Sequence, residues 1–119
     1  MTFDYDPQNI FARILRGEIP NRTVCENDHA LAFHDINPQA PLHVLVIPKG
    51  PFMSLDHFAV AASPEQQSGF MALVAEVFRI CDVSGGFRAI ANTRGHGLQE
   101  VPHYHLHILA GRSLGRMLV

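Results

Sequence analysis

The sequence has no surplus of positive charge. Lysine and arginine together number 9 against 11 aspartates and glutamates, a formal net charge of -2. A nucleic-acid binder needs a basic stripe or patch to meet phosphates, so that class is set aside. Cysteine is scarce. Cys25 and Cys81 stand at a spacing that fits no zinc or redox pattern, and two free thiols in a reducing compartment are expected. No stretch approaches the ~18 apolar residues of a membrane span. The stretch from Met1 to Pro7 carries Asp4 and Asp6 and no apolar run, unlike a secretory leader. Internal repeats and low-complexity segments are missing too. The expectation is a cytoplasmic protein with neither a membrane nor a nucleic acid as partner.

What is present suits a soluble domain. The chain has 119 residues, 47% of them apolar and 17% charged. One domain over 1–119 is expected, with a real core. A short helix is expected from Asn9 to Arg16, with Ile10, Phe11, Ile14 and Leu15 on its apolar side. Gly17 sits where helices commonly stop, and Pro20 forbids continuation. Thr23–Glu26 and Ala30–His34 read as a hairpin around Asn27-Asp28. Pro38 and Pro41 mark a loop. The run His43–Ile47 then reads as a central strand ended by Pro48.

The strongest helix signal covers Pro64 to Cys81. Ser63 is a good N-cap, Pro64 suits the first turn and Gln66 completes a capping box. Phe70, Leu73, Val74, Val77, Phe78 and Cys81 form one apolar stripe. Phe87–Ala91 and Tyr104–Leu109 read as further strands. The sum is an α+β fold: an antiparallel sheet of about five strands with one long and one short helix.

Eight histidines stand in the chain, and three of them, His103, His105 and His107, fall within five positions. In a strand, alternate side chains share a face. The three imidazoles then project from one side, ~6.5–7 Å apart along the chain. Tyr104, Leu106 and Ile108 project from the other, toward the core. A half-exposed strand that happens to use one histidine as a polar residue is common. Three at strict alternation with apolar residues between them point to chemistry.

Two chemistries suit such a row. Neutral imidazole is a nucleophile toward phosphate, and a second histidine neutralises charge or moves a proton. Alternatively, His103, His105 and His107 are zinc ligands. The preceding Gly95-His96-Gly97-Leu98-Gln99-Glu100 favours phosphate, because glycine-bearing loops let backbone N–H groups approach an anion. His29, His34, His57 and His96 are read as surface residues.

The segment from Gln99 to Leu109 resembles the signature of the histidine-triad (HIT) superfamily, His-x-His-x-His followed by apolar positions. Ile10-Phe11 through Gly17-Glu18-Ile19-Pro20 looks like the N-terminal helix of its Hint branch. Ala32–Pro41 looks like the second strand and loop, and Gly111-Arg112-Ser113-Leu114-Gly115 like the bacterial tail. The resemblance implies a homodimer whose sheets join, and hydrolysis of purine nucleoside phosphoramidates. It implies His105 as nucleophile, forming a nucleotidyl-histidine, with His107 on the phosphate. His103 and His43 would set the tautomer and relay protons. Asp35 would bind the ribose, and Phe11, Ile14, Phe33 and Ile36 would wall the base. Asn92 and the backbone of Leu98, Gln99 and Glu100 would hold the phosphate. No cofactor is required. Zinc, a dinucleoside polyphosphate substrate, and a nucleotide-binding module with little catalysis remain as alternatives. Leu98 stands where this branch usually has glycine, so its side chain is expected either to crowd the phosphate loop or to demand a different backbone angle.

Overall fold

The computed structural model describes residues 3–118. Met1, Thr2 and Val119, at the ends of the expected domain, lie outside them. Among the described residues the elements run α1 (Ile10–Leu15), β1 (Thr23–Glu26), β2 (Ala30–His34), β3 (Leu42–Pro48), α2 (Leu55–Ala61), α3 (Pro64–Ile80), β4 (Phe87–Ile90) and β5 (Leu106–Ala110). The five strands make one antiparallel sheet in the order β1-β2-β3-β5-β4. The expected α+β architecture stands. None of the described helices is long and apolar enough to cross a membrane.

Local chemistry explains most boundaries. Ser63 accepts from the Gln66 N–H while the Gln66 side chain accepts from the Ser63 N–H, so α3 starts in a complete capping box. Asn9 caps α1 by accepting from the Ala12 N–H at 2.9 Å. Gly17 follows α1 at φ +78°, the left-handed geometry that closes a helix end.

Strand alternation divides the core between the two faces of the sheet. Ala30, Ala32, Val44, Val46, Tyr104 and Ile108 pack against α3 through Phe70, Leu73, Val74 and Val77. Leu31, Phe33, Leu45 and Ile47 face the other way and pack on Phe11 of α1. Ile10 departs from its expected place on the apolar side of α1; it is exposed, and Ala12 is buried instead. A six-residue helix buries only a narrow strip, and that strip runs through Phe11 and Ala12.

Two further differences bear on the site. The sequence reading has one short helix, and the structure adds α2. Its start is signalled by Ser54, which accepts from the His57 N–H, and by Asp56 in the first turn. Only Phe58 of its seven residues is buried, so no apolar stripe announces it. The last strand begins at Leu106 rather than Tyr104. The Tyr104 N–H donates to the Phe52 carbonyl at 2.7 Å, and the His103 N–H turns back to Val101 at 2.9 Å, so neither joins the ladder.

Candidate active site

Strands β3 and β5 carry the first pair of imidazoles. Their register sets Leu45 opposite His107 and His43 opposite Leu109. His43 and His107 therefore sit diagonally on the α1 side of the sheet, with His43 Nε2 2.9 Å from His107 Nδ1. His103 and His105 arrive on the same side from the segment before β5. The ring of Phe11 meets His105 edge-on at 5.0 Å and His103 at 6.4 Å, and His105 lies 5.0 Å from His107. Tyr104 and Ile108 are in the core on the opposite face.

Backbone partners settle which ring nitrogen carries each proton, because an N–H only donates and a carbonyl only accepts. The His105 Nδ1–H donates to the His103 carbonyl at 2.7 Å. Nε2 of His105 is left with a free lone pair. The His103 Nε2–H donates to the Pro48 carbonyl at 2.8 Å, so His103 Nδ1 accepts from the Tyr5 hydroxyl at 2.7 Å. His43 Nδ1 accepts from the Gln39 N–H at 3.1 Å. The proton of His43 is thus on Nε2, facing His107 Nδ1, and His107 presents an Nε2–H.

All four rings are held neutral. His103 is 0% exposed and His105 6%. Burial pushes His103 down to about 4 from its ordinary 6.5. His107 also falls to about 4, through burial and then through its neighbours His105 and His43. His105 is lowered by burial, opposed by its bond to the His103 carbonyl. His43 is lowered by burial, opposed by the Asp35 carboxylate.

Asp35 lies beside this group. Its Oδ2 is 3.3 Å from His43 Nε2 and its Oδ1 accepts from the Asn37 N–H at 2.8 Å. Phe11 and Phe33 are buried edge-to-face at 5.6 Å, with Ile14 packed beside them. Ile36 stands clear of the fold at 91% exposed. Asn92 and Gln99 are half-buried and Glu100 is exposed.

The loop from Asn92 to Val101 closes on itself. The N–H groups of Gly97, Leu98 and Gln99 donate to the carbonyls of Thr93, Gly95 and Arg94 at 3.2, 3.2 and 3.0 Å. The N–H groups of Leu98 and Gln99, expected to face a phosphate, are thus engaged in the loop's own turns. Of the three expected donors, only the Glu100 N–H stays outside that network among the described residues. The Gln99 side chain pins the loop, accepting from the Arg94 N–H at 3.0 Å and donating to the Met53 carbonyl at 2.7 Å. Arg94 grips Asp56 of α2 with its two terminal guanidinium nitrogens, at 2.7 and 3.3 Å. A Cβ on Gly97 would fall 2.6 Å from the Thr93 nitrogen. Leu98 adopts φ +56°, a left-handed angle that a glycine would take without strain.

The ring nitrogens are largely committed to one another and to the backbone. Both nitrogens of His103 are already bonded, so the row His103, His105, His107 cannot serve as three zinc ligands. Asp35, His43 and His107 do bring ligand atoms within 4.8 Å of one another. Yet the Gln39 N–H keeps the His43 proton on Nε2, the very atom that would have to be a bare ligand. A concavity of about 730 Å³ lies at the β4 edge between Phe87, Arg88 and Leu114, and no histidine lines it.

Comparison with known proteins decides the family. The model of the HIT domain matches residues 16–114. The chain belongs to the HIT domain family. Among its relatives, a HIT-like protein of Azospirillum brasilense is 51% identical over 99% of this chain and 98% of its own. The purine nucleoside phosphoramidase of Escherichia coli is 44% identical over 93% of each chain. A histidine triad protein from Clostridium difficile superposes with a TM-score of 0.79 at 40% identity, covering 90% of this chain and 93% of that one. A HIT family hydrolase from Legionella pneumophila gives 0.80 at 36% identity, covering 89% and 95%. With such relatives this HIT protein is a hydrolase.

The partners that orient the rings escape a reading of the sequence. Gln39 and Pro48 act through backbone atoms, which carry no residue signature, and Tyr5 lies 98 positions from His103. Three histidines read as surface residues are half-buried. His57 accepts from the Met53 N–H and stacks on Phe3 at 4.3 Å, and His29 covers Gly69 on α3. His34 closes β2. Of the four, only His96 is exposed.

Proposed function

We propose that this HIT protein hydrolyses purine nucleoside phosphoramidates through a nucleotidyl-histidine on His105. The observation that carries the proposal is the 2.7 Å bond from His105 Nδ1–H to the His103 carbonyl. It leaves Nε2 as an unshared electron pair on a ring that burial keeps neutral. A neutral, oriented imidazole is what attack on phosphorus requires. The activity for which the Escherichia coli purine nucleoside phosphoramidase is named agrees with it.

His105 Nε2 forms a bond to the α-phosphorus and the P–N bond to the amine breaks. The amine leaves with one proton. His43 and His107 share a 2.9 Å hydrogen bond beside Asp35, and the incoming phosphate charge offsets the burial that keeps them neutral. That pair takes up the proton and delivers it to the leaving nitrogen. His107 Nε2–H otherwise donates to a phosphate oxygen. Water then attacks the phosphorus, the P–Nε2 bond breaks and the proton shed by the water returns to the His43–His107 pair, releasing the nucleoside monophosphate and restoring His105.

In this proposal Asp35 accepts from the ribose hydroxyls, and Phe11, Ile14, Phe33 and Ile36 flank the base. Asn92 and the Glu100 N–H face the phosphate. The working unit is a homodimer joined through β4, which lies at the sheet edge with Phe87 exposed. No metal takes part. The test is a neutral denaturing quench during turnover of an adenosine phosphoramidate, followed by mass measurement of the peptide containing His105. A nucleotidyl adduct there is the expected result, and His105→Ala should lose turnover by about 10³-fold or more. Near wild-type turnover by His105→Ala contradicts the proposal.

A further inference from the structure

Tyr5 lies outside every role assigned above, yet it closes a chain of hydrogen bonds that ends at the nucleophile. Its hydroxyl is 2.7 Å from His103 Nδ1, and its ring meets the His103 ring edge-on at 5.6 Å. His103 is wholly buried, and its other nitrogen is taken by the Pro48 carbonyl at 2.8 Å. Its own carbonyl receives the His105 Nδ1–H at 2.7 Å. The segment carrying Tyr5 is anchored on either side. Phe3 stacks on His57 with the two rings 4° from parallel, and the Asp6 carbonyl accepts from the Asn9 side chain at 2.7 Å.

We infer that Tyr5 is a positioning residue for the reaction at His105, acting through His103. This role rests on His105 being the nucleophile, as proposed above. Attack needs the lone pair on His105 Nε2, so the proton must stay on Nδ1. The His103 carbonyl holds it there, and that carbonyl is only as fixed as the residue bearing it. The Pro48 bond fixes one side of the His103 ring. A buried nitrogen with no partner on the other side would be costly and would favour other ring placements. The Tyr5 hydroxyl is the donor that removes this penalty. Serving as a donor also tells it apart from plain packing, since phenylalanine fills nearly the same space.

The test is Tyr5→Phe, alone and combined with His103→Gln. Against an adenosine phosphoramidate, Tyr5→Phe is expected to lower kcat about fivefold to tenfold with KM within about twofold, the scale of one lost buried hydrogen bond. In the His103→Gln background the same change should add almost nothing, because residues acting through one contact are not additive. Nitrogen NMR of histidine-labelled protein gives a readout that needs no turnover. The His103 Nδ1 resonance should be that of an unprotonated, hydrogen-bonded nitrogen in the wild type and should move in Tyr5→Phe. Should His105 prove not to be the nucleophile, that resonance still tests the hold of Tyr5 on His103. An unmoved resonance overturns the inference. So does a wild-type kcat, an effect confined to KM, or a loss of kcat that repeats in full on the His103→Gln background.

Discussion

His43 Nε2 and His107 Nδ1 lie 2.9 Å apart, joined across two neighbouring strands 64 positions apart in sequence. The Gln39 N–H at His43 Nδ1 gives that bond its direction, from His43 to His107. Removing His43 leaves His107 Nδ1 without a donor and lets the ring take its other tautomer. His43→Ala is therefore expected to lower kcat by about 10²-fold, the range of one proton-transfer partner. KM should change far less. Steady-state kinetics on a phosphoramidate check this, and an effect carried by KM alone contradicts it.

Stability should fall on mild acidification. His103 and His107 have folded values of about 4 against an ordinary 6.5. Between those limits the unfolded chain binds more protons than the folded one, so stability rises with pH through that window. It is fully present above about 6.5 and lost as pH falls toward 4. His103, wholly buried, accounts for about 3 kcal/mol of it. Urea unfolding at neutral pH and at about pH 5 measures the difference. A midpoint independent of pH across this range refutes the neutral buried ring.

Leu98 holds φ +56° with its side chain 80% exposed. The left-handed angle costs a side-chain-bearing residue about 1–2 kcal/mol, and glycine loses about 0.4–1 kcal/mol through a freer unfolded state. Little packing is lost at such an exposed site. Leu98→Gly should therefore be stabilising by about 0.5 kcal/mol, raising Tm by about 2 °C. Leu98→Val, branched at Cβ, should lower it. Thermal melts of the pair decide the matter, and a lower Tm for the glycine variant than for valine reverses the expectation.

Much of the fold was legible along the chain. β1 and β2 match their expected bounds to the residue, because Asn27-Asp28 and the flanking apolar runs mark both ends. The helix from Pro64 was written in Ser63 and Gln66, a contact between near neighbours. α2 was not legible, since a helix with one buried residue has no stripe to read. The present partners of the Leu98 and Gln99 donors were not legible for a related reason. A glycine-bearing loop is compatible with N–H groups turned toward an anion or toward the loop itself, and only coordinates tell the two apart.

The sequence alone determined that three imidazoles stand at alternate positions next to an apolar strand. The two-residue period of β5 sets the face of His107, while His103 and His105 precede the strand and reach the same side through the fold. Tertiary structure alone decided what each imidazole can do. Whether a ring nitrogen is a nucleophile, a donor or an acceptor depends on the atom opposite it. For His43, His103 and His107 those atoms belong to Gln39, Pro48, Tyr5 and a strand neighbour, brought close only by folding. His105 differs only in that its partner, the His103 carbonyl, is two residues away; the turn that aims it is still made by the fold.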